Sequence, residues 1–432
     1  MGIWNEKYEC LSRDEMQQVQ LERLQATVNR AYENVAFYKR LFDQMGIAPE
    51  EIRSLDDLSR FPFTTREDLR DGYPYDMFAV SLRDVVRIHS SSGMKYAPTV
   101  CGYTKKDLVN WMELAARTLS AVGIDKDDVV QVYFGHGLFA EGFGFQHGAE
   151  SIGASVIPVS EDGPERQVAV MRDYKISALV GTPTYALSIA EQMEETKVDP
   201  HSLSLRVGVF GGAPWSEAVR AEIEKRLKIT ATDYYSLSEL GGPISAECEN
   251  KCGLHVFEDH FLAEIVDPKT GKLLEPGSVG ELVLTTLTRE ALPLIRYRTR
   301  NLTSIDYTRC SCGRTLARMS RVCGRTDDMI VVQGVSFYPS QIEAILAEME
   351  CAELYYRLII DREGSEDILE IEVAVSGEVL GDTVGAIERL EGRICTQVRA
   401  ELGISPLVRL AELRTLKSAT GGSKGIVVDK RT

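Results

Sequence analysis

Four thiols and one imidazole stand in two clusters along the chain. Cys248, Cys252 and His255 lie within C-E-N-K-C-G-L-H, and Cys310 and Cys312 within R-C-S-C-G-R. The tight C-x-C-G turn presents two thiolates to one ion, because its glycine lets the backbone curl behind the metal. A tetrahedral zinc site takes four nitrogen or sulfur ligands, commonly as two pairs from separate loops. Five candidates are present, so one is spare. The plainer alternative is a set of free thiols and a satisfied core histidine. The paired spacing favours metal.

The elements that must hold such a site follow from the rest of the chain. The 432 residues are enough for a large core and more than one domain. Hydrophobic content of 44% and charged content of 26% are ordinary for a globular protein. A net charge of −16 argues against nucleic acid or an anionic membrane as a partner, but not against small anionic ligands held by local donors. The start, M-G-I-W-N-E-K-Y-E-C, reads as lacking a signal peptide, and no apolar run is long enough to span a bilayer. Nine cysteines in such a chain point to a reducing, cytoplasmic setting with thiols open to metal.

Residues 8–60 read as helical, with Leu21, Leu24, Val28, Ala31, Val35 and Tyr38 at helical spacing. Thr65 and Asp68 have the spacing of a capping box. From residue 84 short β-rich runs alternate with amphipathic helices. The runs 127–134, 154–159, 177–184 and 205–212 predict parallel βαβ units, with ligands at the loops that follow the strands. Residues 262–308 read as β-hairpins around a D-P-K-T-G turn. The tail predicts strands around Leu358–Ile360 and Leu369–Val375, a helix near 384–402 and a last strand near 407–416, with Ser340 and Glu343 as a capping box for its first helix. The expected architecture is α/β. A large N-terminal domain, 1–325, contains βαβ-type sheets plus β-structure, and a small α+β domain, 326–432, follows.

The motifs in order resemble the phenylacetate–coenzyme A ligases, a branch of the AMP-forming adenylating enzymes. The resemblance rests on G-L-H-V-F-E-D-H-F (253–261), T-T-L-T-R-E-A-L-P-L-I-R-Y-R-T-R (285–300) and G-R-T-D-D-M-I-V-V-Q-G-V-S-F-Y-P-S-Q-I-E (324–343). F-G-G-A-P-W-S-E (210–217), D-Y-Y-S-L-S-E (233–239) and L-R-D-G-Y-P-Y (69–75) add to it, so that it covers nearly the whole chain. It implies two half-reactions. A carboxylate attacks the α-phosphate of ATP, giving acyl-adenylate and pyrophosphate. The coenzyme A thiol then displaces AMP, with the small domain acting as a mobile lid.

The resemblance also implies site residues. Ser91, Ser92 and Gly93 stand in the phosphate loop, although Met94, Lys95, Tyr96 and Ala97 depart from the family pattern and remove a glycine and two hydroxyls. Asp233, Tyr235, Ser236, Ser238 and Glu239 form the adenine and metal motif. Tyr235 lies against adenine, Ser238 bonds phosphate and Glu239 holds Mg²⁺; Ser236 replaces a usual glycine. Asn301 stands where the family has a ribose-binding aspartate and can accept only part of that contact. Gly212 and Ala213 lie on the adenine side. Arg325 reaches the ribose or a phosphate, and Asp327 is the hinge. Phe134, His136, Gly137, Phe139 and Gly211 line the acid pocket. Lys424 is the candidate catalytic lysine beside Glu239. Of the metal candidates, the family pattern selects Cys248, His255, Cys310 and Cys312 for a structural Zn²⁺ and leaves Cys252 spare. The implied ligands are a small carboxylic acid, ATP/AMP, coenzyme A and Mg²⁺, with a homodimer as a candidate assembly. The departures leave a second reading: a diverged member that adenylylates another acceptor or only binds nucleotide.

Overall fold

A computed structural model describes residues 2–90, 98–134, 141–158, 163–213, 215–332, 335–347, 349, 352–363, 366–375, 384–419 and 425–431. The chain divides into two compact units. One is Met1–Trp215 with Arg220–Val322; the other is Ser216–Val219 with Cys323–Thr432.

The first unit opens with the helices Arg13–Asn34 and Ala36–Met45. Ser12 caps the former in a capping box with Glu15. The buried stripe Leu24, Val28, Ala31, Val35, Tyr38 and Phe42 follows the helical spacing of the sequence. Thr65 and Asp68 make the expected capping box at the helix Arg66–Asp71.

The central sheet has nine strands among the described residues. Its order is Ile305–Asp306, Arg318–Met319, Leu254–Val256, Gly242–Glu247, Thr230–Leu237, Val207–Phe210, Ala178–Gly181, Val129–Val132 and Ser155–Pro158. The last five pair in parallel. Thr230–Leu237 pairs in parallel with Val207–Phe210 on one side and antiparallel with Gly242–Glu247 on the other. The parallel strands are buried along almost their whole length, which explains their continuous apolar runs. A second antiparallel sheet contains Phe261–Val266, Gly280–Thr286 and Tyr297–Thr303.

In the second unit, strands pair in the order Leu407–Glu412, Glu366–Val375, Ala352–Glu363 and Gly425–Asp429. Its core gathers Ile342, Leu346, Leu358, Ile371, Val373, Ile394 and Val398. Three expectations for this tail need correction. The strand expected over 407–416 ends at Glu412, and Leu413–Ala419 is a helix. Gly425–Asp429, beyond the strand expected to be the last, is itself a strand whose β-branched run pairs in parallel with Tyr356–Ile360. Ser340 does not cap the helix Pro339–Ala347; it lies inside it and bonds the Cys323 carbonyl, while the Gln341 side chain accepts from the Tyr338 backbone N–H at 2.9 Å.

Candidate active site

The strand Thr230–Leu237 carries the D-Y-Y-S-L-S-E motif to the carboxyl end of the parallel sheet, where open α/β sheets bind ligands. A bulge between Tyr235 and Ser236 releases the strand from its regular register. Beyond it, Gly241 (φ 83°) turns the chain back, and a Cβ there would meet the Arg289 guanidinium carbon at 2.8 Å. Glycine is therefore required at this corner.

Asn301 lies buried on the neighbouring sheet, and its Nδ2 donates to the Tyr235 hydroxyl at 2.7 Å. The Tyr297 hydroxyl donates to Glu239 Oε1 at 2.6 Å. Burial pushes the Tyr297 hydroxyl well above its ordinary value, and the Glu239 carboxylate pushes it further. Glu239 Oε2 has no protein hydrogen bond among the described residues, so an oxygen ligand for a hard cation is in place. The sequence motifs thus bring Tyr235, Glu239 and Asn301 together through their hydroxyl partners.

Asp233 accepts from Trp215 Nε1 at 2.9 Å and from Arg321 Nε at 2.8 Å. Burial pushes its carboxyl up to about 6, against the opposing pull of Arg321 and the Trp215 N–H. The Arg321 and Arg220 guanidinium groups lie 4.6 and 5.3 Å from the Trp215 ring. Asp233 is thus a buried framework carboxylate behind Tyr235.

Arg289, which the sequence did not single out, organises the other side of the motif. It is 5% exposed and donates to the Gly102 carbonyl at 2.9 Å. It lies 4.2 Å from the Tyr103 ring and 3.6 Å from Asp107 Oδ2. The Tyr103 hydroxyl in turn donates to the Ser238 carbonyl at 3.4 Å. Arg289 therefore ties the strand Val100–Tyr103 to the corner carrying Ser238 and Glu239. Its only sequence signal is a lone arginine in T-R-E-A-L; its partners lie almost two hundred positions away.

A cavity adjoins this corner. Tyr103, Trp111, Phe145, Tyr234 and Pro243 line it, with Ser236 at its edge. Gly144 and Gly242 let the Trp111 ring approach; a Cβ at either would meet it at 2.0 or 2.7 Å. Phe134, expected in the acid pocket, is buried and stacks on Phe145 with ring centroids 6.2 Å apart. Gly211 packs against Tyr234, where a Cβ would come within 2.6 Å of the ring. Gly212 (φ 75°) and Ala213 follow it as exposed residues. Ser91, Ser92, Gly93, His136, Gly137, Phe139 and Lys424 lie outside the described residues. In the second unit Arg325 forks onto Asp327 at 2.8–2.9 Å.

The thiol clusters converge. The ligand atoms of Cys248, His255, Cys310 and Cys312 all lie within 4.8 Å of one another, and all four residues are buried. Cys248 and Cys310 sulfurs are 3.9 Å apart, and Cys312 Sγ is 3.4 Å from His255 Nε2. Sulfurs bound to zinc at about 2.3 Å in a tetrahedron stand about 3.8 Å apart, so the set fits a zinc ion. Cys252 is exposed and outside this group. Burial, with Arg314 and Arg318 nearby, drops the His255 imidazole to about 4, so it is neutral, as a ligand must be. Arg314 also reaches Cys312 Sγ at 3.8 Å, donates to Glu9 Oε2 at 2.5 Å and to the Gly2 carbonyl at 2.6 Å. Thr315 Oγ1 donates to the Leu11 carbonyl at 2.5 Å.

A motif-bearing strand at the switch from parallel to antiparallel pairing, with a separate small α/β unit, is the layout of an adenylating enzyme. Residues 129–287 match the AMP-binding enzyme family, and residues 334–431 match the AMP-binding enzyme C-terminal domain. The chain is 44% identical to the phenylacetate-coenzyme A ligase of Escherichia coli (strain K12), over 96% of this chain and 94% of that protein. It is 42% identical to the phenylacetate-coenzyme A ligase of Thermus thermophilus, over 99% and 100%. The chain belongs to the phenylacetate–coenzyme A ligase family. A solved 2-hydroxyisobutyryl-CoA ligase, in its postadenylation state with an acyl-AMP, superposes with a TM-score of 0.89 at 28% identity, over 98% of this chain and 92% of that one. Of the two readings left open by the sequence, these likenesses support an ATP-dependent acyl–coenzyme A ligase.

Proposed function

We propose that the acid activated by this ligase is an arylacetic acid or a close aryl relative, phenylacetate being the reference. The observation that carries this is the 42–44% identity, over nearly the full chain, to phenylacetate-coenzyme A ligases. Tyr103, Trp111, Phe145 and Tyr234 line a narrow aromatic recess beside Ser236 and Ser238.

In the first half-reaction an acid carboxylate oxygen bonds the α-phosphorus of ATP and the bond to pyrophosphate breaks. In the second, the thiolate sulfur of coenzyme A bonds the acyl carbon, AMP leaves with the electron pair, and the thiol proton goes to solvent. Tyr235 packs against the adenine. Asn301, whose Nδ2 donates to Tyr235, stands at the ribose. Ser238 and Ser91, Ser92 and Gly93 supply phosphate donors, and Lys424 stabilises the charge that develops at phosphorus. Arg325 and Asp327 act at the lid and hinge. Mg²⁺, when bound, would neutralise phosphate charge, and Glu239 is the residue to hold it. A zinc ion held by Cys248, His255, Cys310 and Cys312 would be structural, since four protein ligands leave no open position. Reduced thiols for that site fit a cytoplasmic location.

The test is AMP formation with ATP, coenzyme A and a panel of phenylacetate, benzoate, 2-hydroxyisobutyrate and acetate. The expected result is the highest kcat/KM for phenylacetate. A preference for 2-hydroxyisobutyrate or acetate would overturn the aryl assignment.

A further inference from the structure

We infer that Arg66 is an additional ligand for the β- and γ-phosphates of ATP. The inference rests on the proposed nucleotide site and extends it to a residue on a different segment.

Thr64 is fully buried and locked beside the 295–298 segment. Its N–H donates to the Arg296 carbonyl at 3.1 Å, and its carbonyl accepts from the Arg298 N–H at 2.9 Å. Its hydroxyl donates to the Ile295 carbonyl at 2.6 Å, and Thr64 pairs with Tyr297 as a parallel bridge. With its N–H, carbonyl and hydroxyl all engaged, Thr64 leaves the next two residues little freedom. Thr65 then caps the helix Arg66–Asp71. Arg66 follows at once, alongside Tyr297, whose hydroxyl is bonded to Glu239. The same lateral match continues one residue on, where Glu67 pairs with Arg300 at 3.8 Å, next to Asn301. Arg66 therefore stands beside the residues proposed to hold the metal and the ribose.

The Arg66 side chain is exposed and makes no ion pair among the described residues. Its charge is felt at the Tyr297 hydroxyl, where it opposes the upward push of burial and Glu239. An uncompensated arginine is unusual in a chain of net charge −16. The planar guanidinium matches two phosphate oxygens at once.

The experiment compares binding of ATP with Mg²⁺, of AMP, and of inorganic pyrophosphate to wild type, Arg66→Gln and Arg66→Lys by titration calorimetry. Arg66→Gln should weaken ATP about tenfold, the weight of a charge-assisted contact, and weaken pyrophosphate inhibition similarly. AMP, which lacks the outer phosphates, should bind unchanged. Arg66→Lys should recover part of the ATP loss. Equal weakening of ATP and AMP would show a structural role and overturn the inference, as would no change in ATP. Failure of the wild type to bind either nucleotide would instead overturn the nucleotide site itself. Arg66 is exposed, so both variants should unfold at the wild-type temperature.

Discussion

The Asn301 side-chain amide donates to the Tyr235 hydroxyl at 2.7 Å, joining the residue proposed at the ribose to the one proposed at the adenine. The contact engages the amide through Nδ2, and a neutral amide has no charge to offer the sugar. Asn301→Asp reverses the bond: the Tyr235 hydroxyl donates to one carboxylate oxygen, and the other accepts from ribose with a full charge. ATP and AMP should both bind about tenfold more tightly to this variant. Titration with both nucleotides checks it, and strong wild-type binding that is unmoved by the substitution would remove Asn301 from the ribose.

The thiol and imidazole cluster should hold about one zinc per chain, as a closed four-ligand site does. Metal analysis of the purified protein checks this. Cys310→Ala should release the ion and lower the melting temperature. Cys252→Ala, at an exposed thiol, should do neither. A metal-free protein of undiminished stability would refute the site.

Asp233 should make stability fall as pH rises. Its folded value, about 6, lies above the ordinary 3.8. Below the ordinary value both states hold the proton and the group contributes nothing. Between the two values the folded state keeps a proton that the unfolded chain releases, so raising the pH costs stability until the folded carboxyl ionises. Asp233→Asn has no such proton to lose. From pH 4.5 to pH 7 the variant should therefore gain about 2 kcal/mol relative to wild type. Urea unfolding at the two pH values measures the change, and a constant difference would contradict it.

Arg289→Met should destabilise the protein by about 3 kcal/mol, because Asp107 is then buried without its cation. Arg289→Lys should recover part of the loss by restoring charge, though not the fork that spans Gly102 and Tyr103. Chemical denaturation of the three proteins gives the comparison. Equal stability would mean that the backbone N–H groups of Glu290 and Ala291 suffice for Asp107.

The strand runs 127–134, 177–184 and 205–212 were legible in the sequence because buried parallel strands are apolar throughout and are punctuated by glycine. The five metal candidates were legible because cysteines in tight turns carry their spacing in the sequence; setting Cys252 aside took the family resemblance. Arg289 and Tyr297 were not legible as parts of the site. Each acts through partners from distant segments, and periodicity carries no record of such pairing. Gly425–Asp429 was not legible as a strand because its run is short, and it is the pairing with Ala352–Glu363 that makes I-V-V a strand. Ser340 was misread by two residues: the Ser-x-x-Glu spacing is present, but Pro339 already begins the helix.

The bond from Arg314 to Glu9 spans 305 positions and sets a clock on biosynthesis. At ribosomal speeds of about 5–20 residues per second, Glu9 emerges roughly fifteen seconds to a minute before Arg314 exists. Through that interval the segment Gly2–Leu11 lacks the anchors that Arg314 and Thr315 supply, although Asn5 can already bond Glu113. The same stretch of nascent chain delivers Cys310 and Cys312, so closure of the thiol cluster and capture of the N-terminal segment fall due together. A ribosome stalled before residue 310 would carry a chain with most of its central sheet made and its leading end still short of two of its anchors.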